Sequence, residues 1–322
     1  MDSFSELVAR QAGVVSRAQA LHAGLQPHDV RRLVRRRELT PLLPGVFVDH
    51  TGPPTWLQRA WAAVLHCAPR DVADGPGVAL AGVSALRAAD GPGRGPDAGP
   101  IVVAVPRDRR VVAPDGVRVL RTFDLGGRVH WNLGPPRMHY DEAALDVALE
   151  ERTELEAVAV LARAVQTRRT TASRMQSSLA ARARAPRRDF MAAVLADVAA
   201  GTCSVLEREY VRRVERPHGL PVGRRQVRAG TASGVVYRDN EYGDLVVELD
   251  GRLFHDTAEQ RDRDAERDLD AAVSGLGTVR LTWGQVVDRP CSTAAKLSAL
   301  LERSGLPGGR PCGPLCAWRD AA

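Results

Sequence analysis

Lysine is all but missing from this chain. Of its 45 basic residues only Lys296 is a lysine, so nearly all of the positive charge is arginine. Arginine and alanine richness of this kind is a coding bias expected of a GC-rich bacterial genome and says nothing about function. Long apolar runs are missing too: no stretch approaches the 18 or more residues of a membrane span, and no membrane partner is expected. The opening residues Met1-Asp2-Ser3-Phe4-Ser5-Glu6 have neither the basic start nor the apolar stretch of a secretory signal, which points to the cytoplasm. Cysteine is sparse. Five thiols (Cys67, Cys203, Cys291, Cys312, Cys316) are odd in number and scattered, which excludes a disulfide framework. Cys312 and Cys316 could form half of a zinc site. No second ligand pair follows and the eight histidines show no zinc-ligand spacing, so both are read as reduced thiols. No nucleophile elbow, paired CxxC or phosphate-binding glycine loop occurs.

What remains is a 322-residue chain with net charge +6, too long for one ordinary domain. The charge permits nucleic-acid binding, so the placing of the arginines matters more than their number. The expected class is α+β or α/β multidomain. Residues 1–50 read as short helices ending in a hairpin, and 51–150 as a mixed α/β middle region with helices at 56–66 and 81–88 and strands at 101–105 and 116–121. A helical connector is expected over 151–200. Residues 201–303 read as helix, three strands, helix, strand, helix, and 304–322 as a flexible tail.

In the first segment Ser16 and Gln19 have capping-box spacing. The helix they open, 17–22, ends before Gly24, which suits a left-handed C-cap. Pro27 fits the first turn of the next helix. There Val30, Leu33 and Val34 share one face, while Arg31, Arg32, Arg35 and Arg36 point elsewhere with Arg37 close by. An arginine-studded helix after a glycine turn is a helix-turn-helix pattern, and Leu39–Leu43 and Val46–Val48 around Pro44-Gly45 read as its wing. Charge runs are usually only solvated, but Glu38 is the nearest offset to these arginines, and the excess would draw phosphates. The stretch from Gly13-Val14-Val15-Ser16-Arg17-Ala18-Gln19-Ala20 to Leu42-Leu43-Pro44-Gly45-Val46-Phe47 resembles the N-terminal winged-helix domain of AbiEi-type antitoxins of abortive-infection systems. That resemblance implies binding of operator DNA.

The second signal is Asp244-Leu245-Val246-Val247-Glu248-Leu249-Asp250-Gly251. Side chains alternate along a strand, so Glu248 and Asp250 share a face, about 7 Å apart. If a hairpin turns at Gly243–Asp244, Asp239 of the preceding strand falls opposite Glu248. Glu207 and Glu209 lie on the helix upstream. Acids gathered this way repel one another unless a cation joins them, and oxygen-only ligation suits Mg²⁺ or Mn²⁺. An acid before Asp-Gly is also an ordinary strand-end turn. The later helix, 257–274, is expected to set Ala265, Leu269 and Val273 against the core. Its alternating Arg261, Asp262, Arg263, Asp264, Glu266, Arg267 and Asp268 read as a solvated, salt-bridged face.

Residues 203–302 resemble the restriction-endonuclease-like αβββαβ core of PD-(D/E)xK nucleases, in the branch related to very-short-patch-repair endonucleases. The likeness rests on Ser204-Val205-Leu206-Glu207, Tyr237-Arg238-Asp239, Glu248-Leu249-Asp250-Gly251 with His255, and Arg280-Leu281-Thr282-Trp283. It implies Glu207, Asp239 and Glu248 as metal ligands and Asp239, Glu248 and Asp250 as the catalytic set. The motif's lysine, two residues after the strand acid, is replaced by Asp250. His255 and Arg252 are the auxiliary candidates for the missing positive charge or proton relay, with Arg261 and Arg267 further off. Two functions are expected from this. The first is a Mg²⁺-dependent DNA endonuclease, with a methyltransferase as possible companion. The second is an antitoxin-like repressor whose nuclease-like domain is degenerate, with a toxin as partner. A homodimer fits either.

Overall fold

In a computed structural model, residues 4–69, 77–91, 99–200, 204–231, 234–250, 265–266 and 269–320 are described. The chain is mixed α+β, with three sheets among the described residues, and divides into two compact units, Met1–Val147 and Ala148–Ala322. Among the described residues no helix is long and apolar enough to cross a membrane.

The first unit opens with α1 (Phe4–Arg10), β1 (Val14–Ser16), α2 (Arg17–His22), α3 (Pro27–Arg35), β2 (Thr40–Leu43) and β3 (Val46–Val48). The local signals act as expected. Ser16 and Gln19 form a reciprocal capping box, Gly24 is left-handed at φ +95°, and Pro27 opens α3. The strands pair in the order β1-β3-β2. Alternation sends Val15 and Phe47 toward α1, α2 and α3, and Val14, Val46 and Val48 to the opposite face.

That opposite face is covered by α4 (Trp56–Cys67) through Trp61, Ala62 and Leu65. The other side of α4, with Ala60, Ala63, Val64 and Cys67, packs on the second sheet. With apolar residues on two sides, the helix has to be covered on both. This is why the expected boundary at residue 50 does not divide the molecule. The second sheet runs β6-β5-β4-β8-β7, built from β4 (Ala79–Leu80), β5 (Ile101–Pro106), β6 (Val117–Thr122), β7 (Val129–His130) and β8 (Arg137–Met138). The helix α5 (Gly82–Asp90) lies against β5, and α6 (Tyr140–Glu150) closes the unit.

In the second unit α9 (Arg188–Ala200) packs on α7 (Glu154–Gln166), α8 (Ala172–Ala181) and α10 (Ser204–Tyr210). The expected connector is therefore part of one compact unit with the sheet that follows. That sheet has the order β12-β11-β10-β9. It consists of β9 (Arg224–Thr231), β10 (Gly234–Tyr242), β11 (Leu245–Asp250) and β12 (Gly277–Thr282). The first three strands form an antiparallel meander, and β12 runs parallel beside β11. The chain ends in α11 (Pro290–Arg303) and a segment that folds back on the unit.

Two expectations fail here. Ala265, Leu269 and Val273 are exposed, and it is Ala271 that is buried. The helix end is closed by bonds from Gly275 N to Ala272 O and Leu276 N to Ala271 O, and Gly277 N donates to Asp244 O. This short closure turns the small Ala271 inward. Nor is 304–318 a free tail, since Arg310 N donates to His218 O at 2.7 Å and Cys316 is buried.

Candidate functional site

The acids Glu207 and Asp239 are set by two local devices. Asp197 at the end of α9 caps α10, accepting from Ser204 Oγ and from Val205 N at 2.6 Å. Glu207 follows in the first turn, half-buried. On β9, Gln226 takes a left-handed φ of +49° between paired positions Arg225 and Val227, which lifts it out of the ladder. Its Nε2 then donates to Glu207 Oε1 at 3.2 Å and to Asp239 Oδ1 at 3.3 Å. The second oxygen of Asp239 accepts from Leu249 N at 2.7 Å. Burial first, and then the negative Asp239, push the Glu207 carboxyl above its usual range, against the opposing hydrogen bond from Gln226.

The hairpin joining β10 and β11 turns at Gly243–Asp244 with Tyr242 paired to Leu245. Continuing that register sets Asp239 opposite Glu248. Glu248 and Asp250 are half-buried, alternating with buried Val247 and Leu249, and so share a face. Across the parallel pairing Glu248 is in register with Arg280, and Asp250 with Thr282. Among the described residues the acids do not close into a three-ligand cluster. Glu207 and Asp239 meet through Gln226, while Glu248 stays on the next strand. A cleft of about 550 Å³ opens at the acid pair, lined by Ser204, Glu207, Arg208, Arg212, Arg225 and Asp239. Basic groups therefore surround the two carboxylates.

Glu209, the other helix acid, is not part of this cleft. It is buried and engaged by Arg212 and Arg213, with Arg213 reaching on to Glu154. Beneath the cleft Glu215, almost fully buried, receives Arg225 at 2.6 Å and the Tyr242 hydroxyl at 2.8 Å. The Tyr242 hydroxyl is also 2.8 Å from that of Tyr210, and burial pushes both phenols up. This network positions Arg225, and nothing in the local sequence announced it. Arg252 and His255, like Arg261 and Arg267, lie outside the described residues.

Arg31, Arg32 and Arg35 on α3 and Arg36 at its C-terminal cap are all exposed, and Val30 is buried beneath them. Two have acidic partners, Arg32 with Asp29 at 2.9 Å and Arg36 with Glu38 at 3.8 Å. Arg31 bonds back to Pro27 O. A second basic surface, invisible in the sequence because its parts are far apart, lines a groove of about 990 Å³ with Arg17, His22, His66, Arg109 and Arg110.

No protein-family model matches the chain, and no curated protein matches it. Among solved structures it is similar to the crystal structure of the RV2827C protein from Mycobacterium tuberculosis, with TM-score 0.38 and 20% identity over 62% of this chain and 80% of that one. At that score the likeness assigns neither fold nor function.

Proposed function

We propose that the protein binds DNA through a winged helix-turn-helix formed by α1–β3 and hydrolyses DNA phosphodiesters in its second unit, at a PD-(D/E)xK-like centre. The observation that carries this reading is the meeting of Glu207 and Asp239 at an arginine-rimmed cleft, with Glu248 on the adjoining strand. The order of α10, an antiparallel meander and a parallel fourth strand supports it.

The donor set fits a hard divalent cation. Two carboxylates share one neutral amide, and burial, with the negative Asp239 second, raises the Glu207 pKa, a cost that a bound cation would relieve. Glu207, Asp239 and Glu248 would hold Mg²⁺ or Mn²⁺, which when bound activates water and neutralises the leaving phosphate. Arg208, Arg212 and Arg225 on the cleft wall draw in and orient the phosphate backbone. The exposed face of α3 and the Arg17–Arg109–Arg110 groove hold the duplex by its phosphates.

A second reading has its own observation. The position two residues after Glu248 is Asp250, not lysine, and both oxygens of Asp239 are already bonded within the protein. An antitoxin-like repressor with a degenerate nuclease-like domain accounts for both facts. Incubating the full chain with supercoiled DNA and Mg²⁺ or Mn²⁺, with EDTA as control, separates the two. A nuclease cuts, and Asp239→Ala and Glu248→Ala each abolish cutting while DNA binding persists. A parent chain that binds DNA and stays inert with either metal establishes the repressor reading instead.

A further inference from the structure

The segment after α11 folds back and brings together four side chains from distant parts of the sequence. His218, Cys291, Cys312 and Cys316 place their ligand atoms within 4.8 Å of one another. Cys291 Sγ lies 3.8 Å from Cys312 Sγ, and Cys316 Sγ lies 3.6 Å from His218 Nε2. A disulfide holds its sulfurs at roughly 2.05 Å, so the first pair is unbonded. Tetrahedral zinc, with Zn–S of about 2.3 Å and Zn–N of about 2.0–2.1 Å, sets neighbouring sulfurs about 3.8 Å apart and sulfur from nitrogen about 3.6 Å. Both separations match the edges of that tetrahedron.

The histidine is prepared for the same task. Its Nδ1 lies 2.8 Å from the Val214 carbonyl, an acceptor only, so the ring carries its proton there. The Nε2 lone pair is left facing Cys316, the outer-shell arrangement that orients metal-bound imidazoles. The ring is buried and stacks on Trp318, with centroids 5.6 Å apart. The backbone approach is equally specific. A Cβ at Gly309 would fall 2.7 Å from Leu220 and 2.8 Å from the His218 carbonyl, so the returning chain fits only with glycine there.

We propose that the second unit carries a structural zinc site with ligands His218, Cys291, Cys312 and Cys316. On binding, the three thiols release their protons and the neutral imidazole donates its lone pair. The four protein ligands fill the tetrahedron, so no position is open for substrate and the ion acts as a clamp. It ties the terminal segment and the start of α11 to the loop before β9, joining residues 98 apart in sequence. The site is separate from the acid cleft and independent of the nuclease reading.

The test is made on the full chain purified under reducing conditions, by metal content and by refilling the stripped protein with Zn²⁺ or Co²⁺. About one zinc per chain is expected. Co²⁺ should give the intense visible absorption of a tetrahedral thiolate site. Zn²⁺ should protect Cys291, Cys312 and Cys316 from alkylation in peptide mapping and raise Tm. Cys312→Ser and the double variant Cys291→Ser/Cys312→Ser should lose zinc, whereas Cys67→Ala should keep it. The cobalt spectrum and the protection pattern are read on the parent chain, so a variant that fails to fold does not decide the matter. A parent that takes up no metal with its three thiols fully alkylated in Zn²⁺ would overturn the proposal. So would zinc uptake undiminished in the double variant, or a Cys291–Cys312 disulfide in protein purified under reducing conditions.

Discussion

Glu207 and Asp239 share a single amide, that of Gln226, which donates to one at 3.2 Å and to the other at 3.3 Å. One neutral group thus stands between two carboxylates, and burial, then the charge of Asp239, raises the pKa of Glu207. A carboxyl raised in the folded state contributes fully below its ordinary value of 4.5, and that contribution is lost as pH rises through the raised value. Relative to the parent, Glu207→Gln should therefore show a flatter fall of Tm in the range just above pH 4.5. At neutral pH it should be at least as stable. Melting curves across a pH series check this, and parallel slopes for parent and variant would count against it.

Arg280 stands in register with Glu248 on the neighbouring parallel strand, which makes it a candidate for the charge that the absent lysine supplies elsewhere. If the second unit cuts DNA, Arg280→Ala should lower kcat by at least tenfold with KM little changed, and Arg280→Lys should recover part of the activity. Single-turnover cleavage beside a DNA-binding titration gives the comparison. A change confined to KM would assign Arg280 to substrate docking.

On α3, Arg32 and Arg35 are exposed while the core face beneath is apolar. The Arg32→Ala/Arg35→Ala variant should bind DNA more weakly, and its slope of log K against log salt should shrink by roughly 0.9 for each phosphate that is no longer neutralised. Its Tm should barely move. Removal of the Arg32–Asp29 pair should cost little, because an exposed pair is screened by solvent. An unaltered affinity and slope would exclude this helix from the interface.

The Glu215 network should respond quite differently. Glu215→Ala leaves Arg225 and the buried Tyr242 hydroxyl without their acceptor, and removing one partner from such a network costs about 3 kcal/mol. Because Arg225 is partly open to water, the figure sits at the low end for a buried pair. Tyr242→Phe removes only one hydroxyl and should cost about 1 kcal/mol. Urea melts of the two variants test the ranking, and a Tyr242→Phe destabilisation equal to that of Glu215→Ala would contradict it.

What the sequence disclosed was local. Ser16 with Gln19, Pro27, and the turn at Gly243–Asp244 work within a few residues, and each stands where its chemistry requires. Alternation in β11 likewise placed Glu248 and Asp250 on one face. Long-range pairings were hidden. Gln226 reaches the acids only because a left-handed residue interrupts β9, and no spacing rule signals that. Cys312 and Cys316 looked like half a site because their partners lie on the loop before β9 and at the start of α11. The exposed Leu269 and Val273 show the converse: helical spacing marks a face as apolar without settling which way the helix turns it.

The placement of α4 between two sheets sets how this protein can be taken apart. Val14, Val46 and Val48, each at most 1% exposed, are sealed by a helix whose other side belongs to the β4–β5 region. A fragment ending at residue 50 would bare all three, at about 1.5–3 kcal/mol for each side chain. It would display a sticky valine sheet to any neighbour. The arginine helix is consequently not a portable module that could be grafted onto another protein. It stands as one wall of a compact unit, Met1–Val147, so a lesion in β4 or β5 that loosens α4 should reach α3 through the sheet between them.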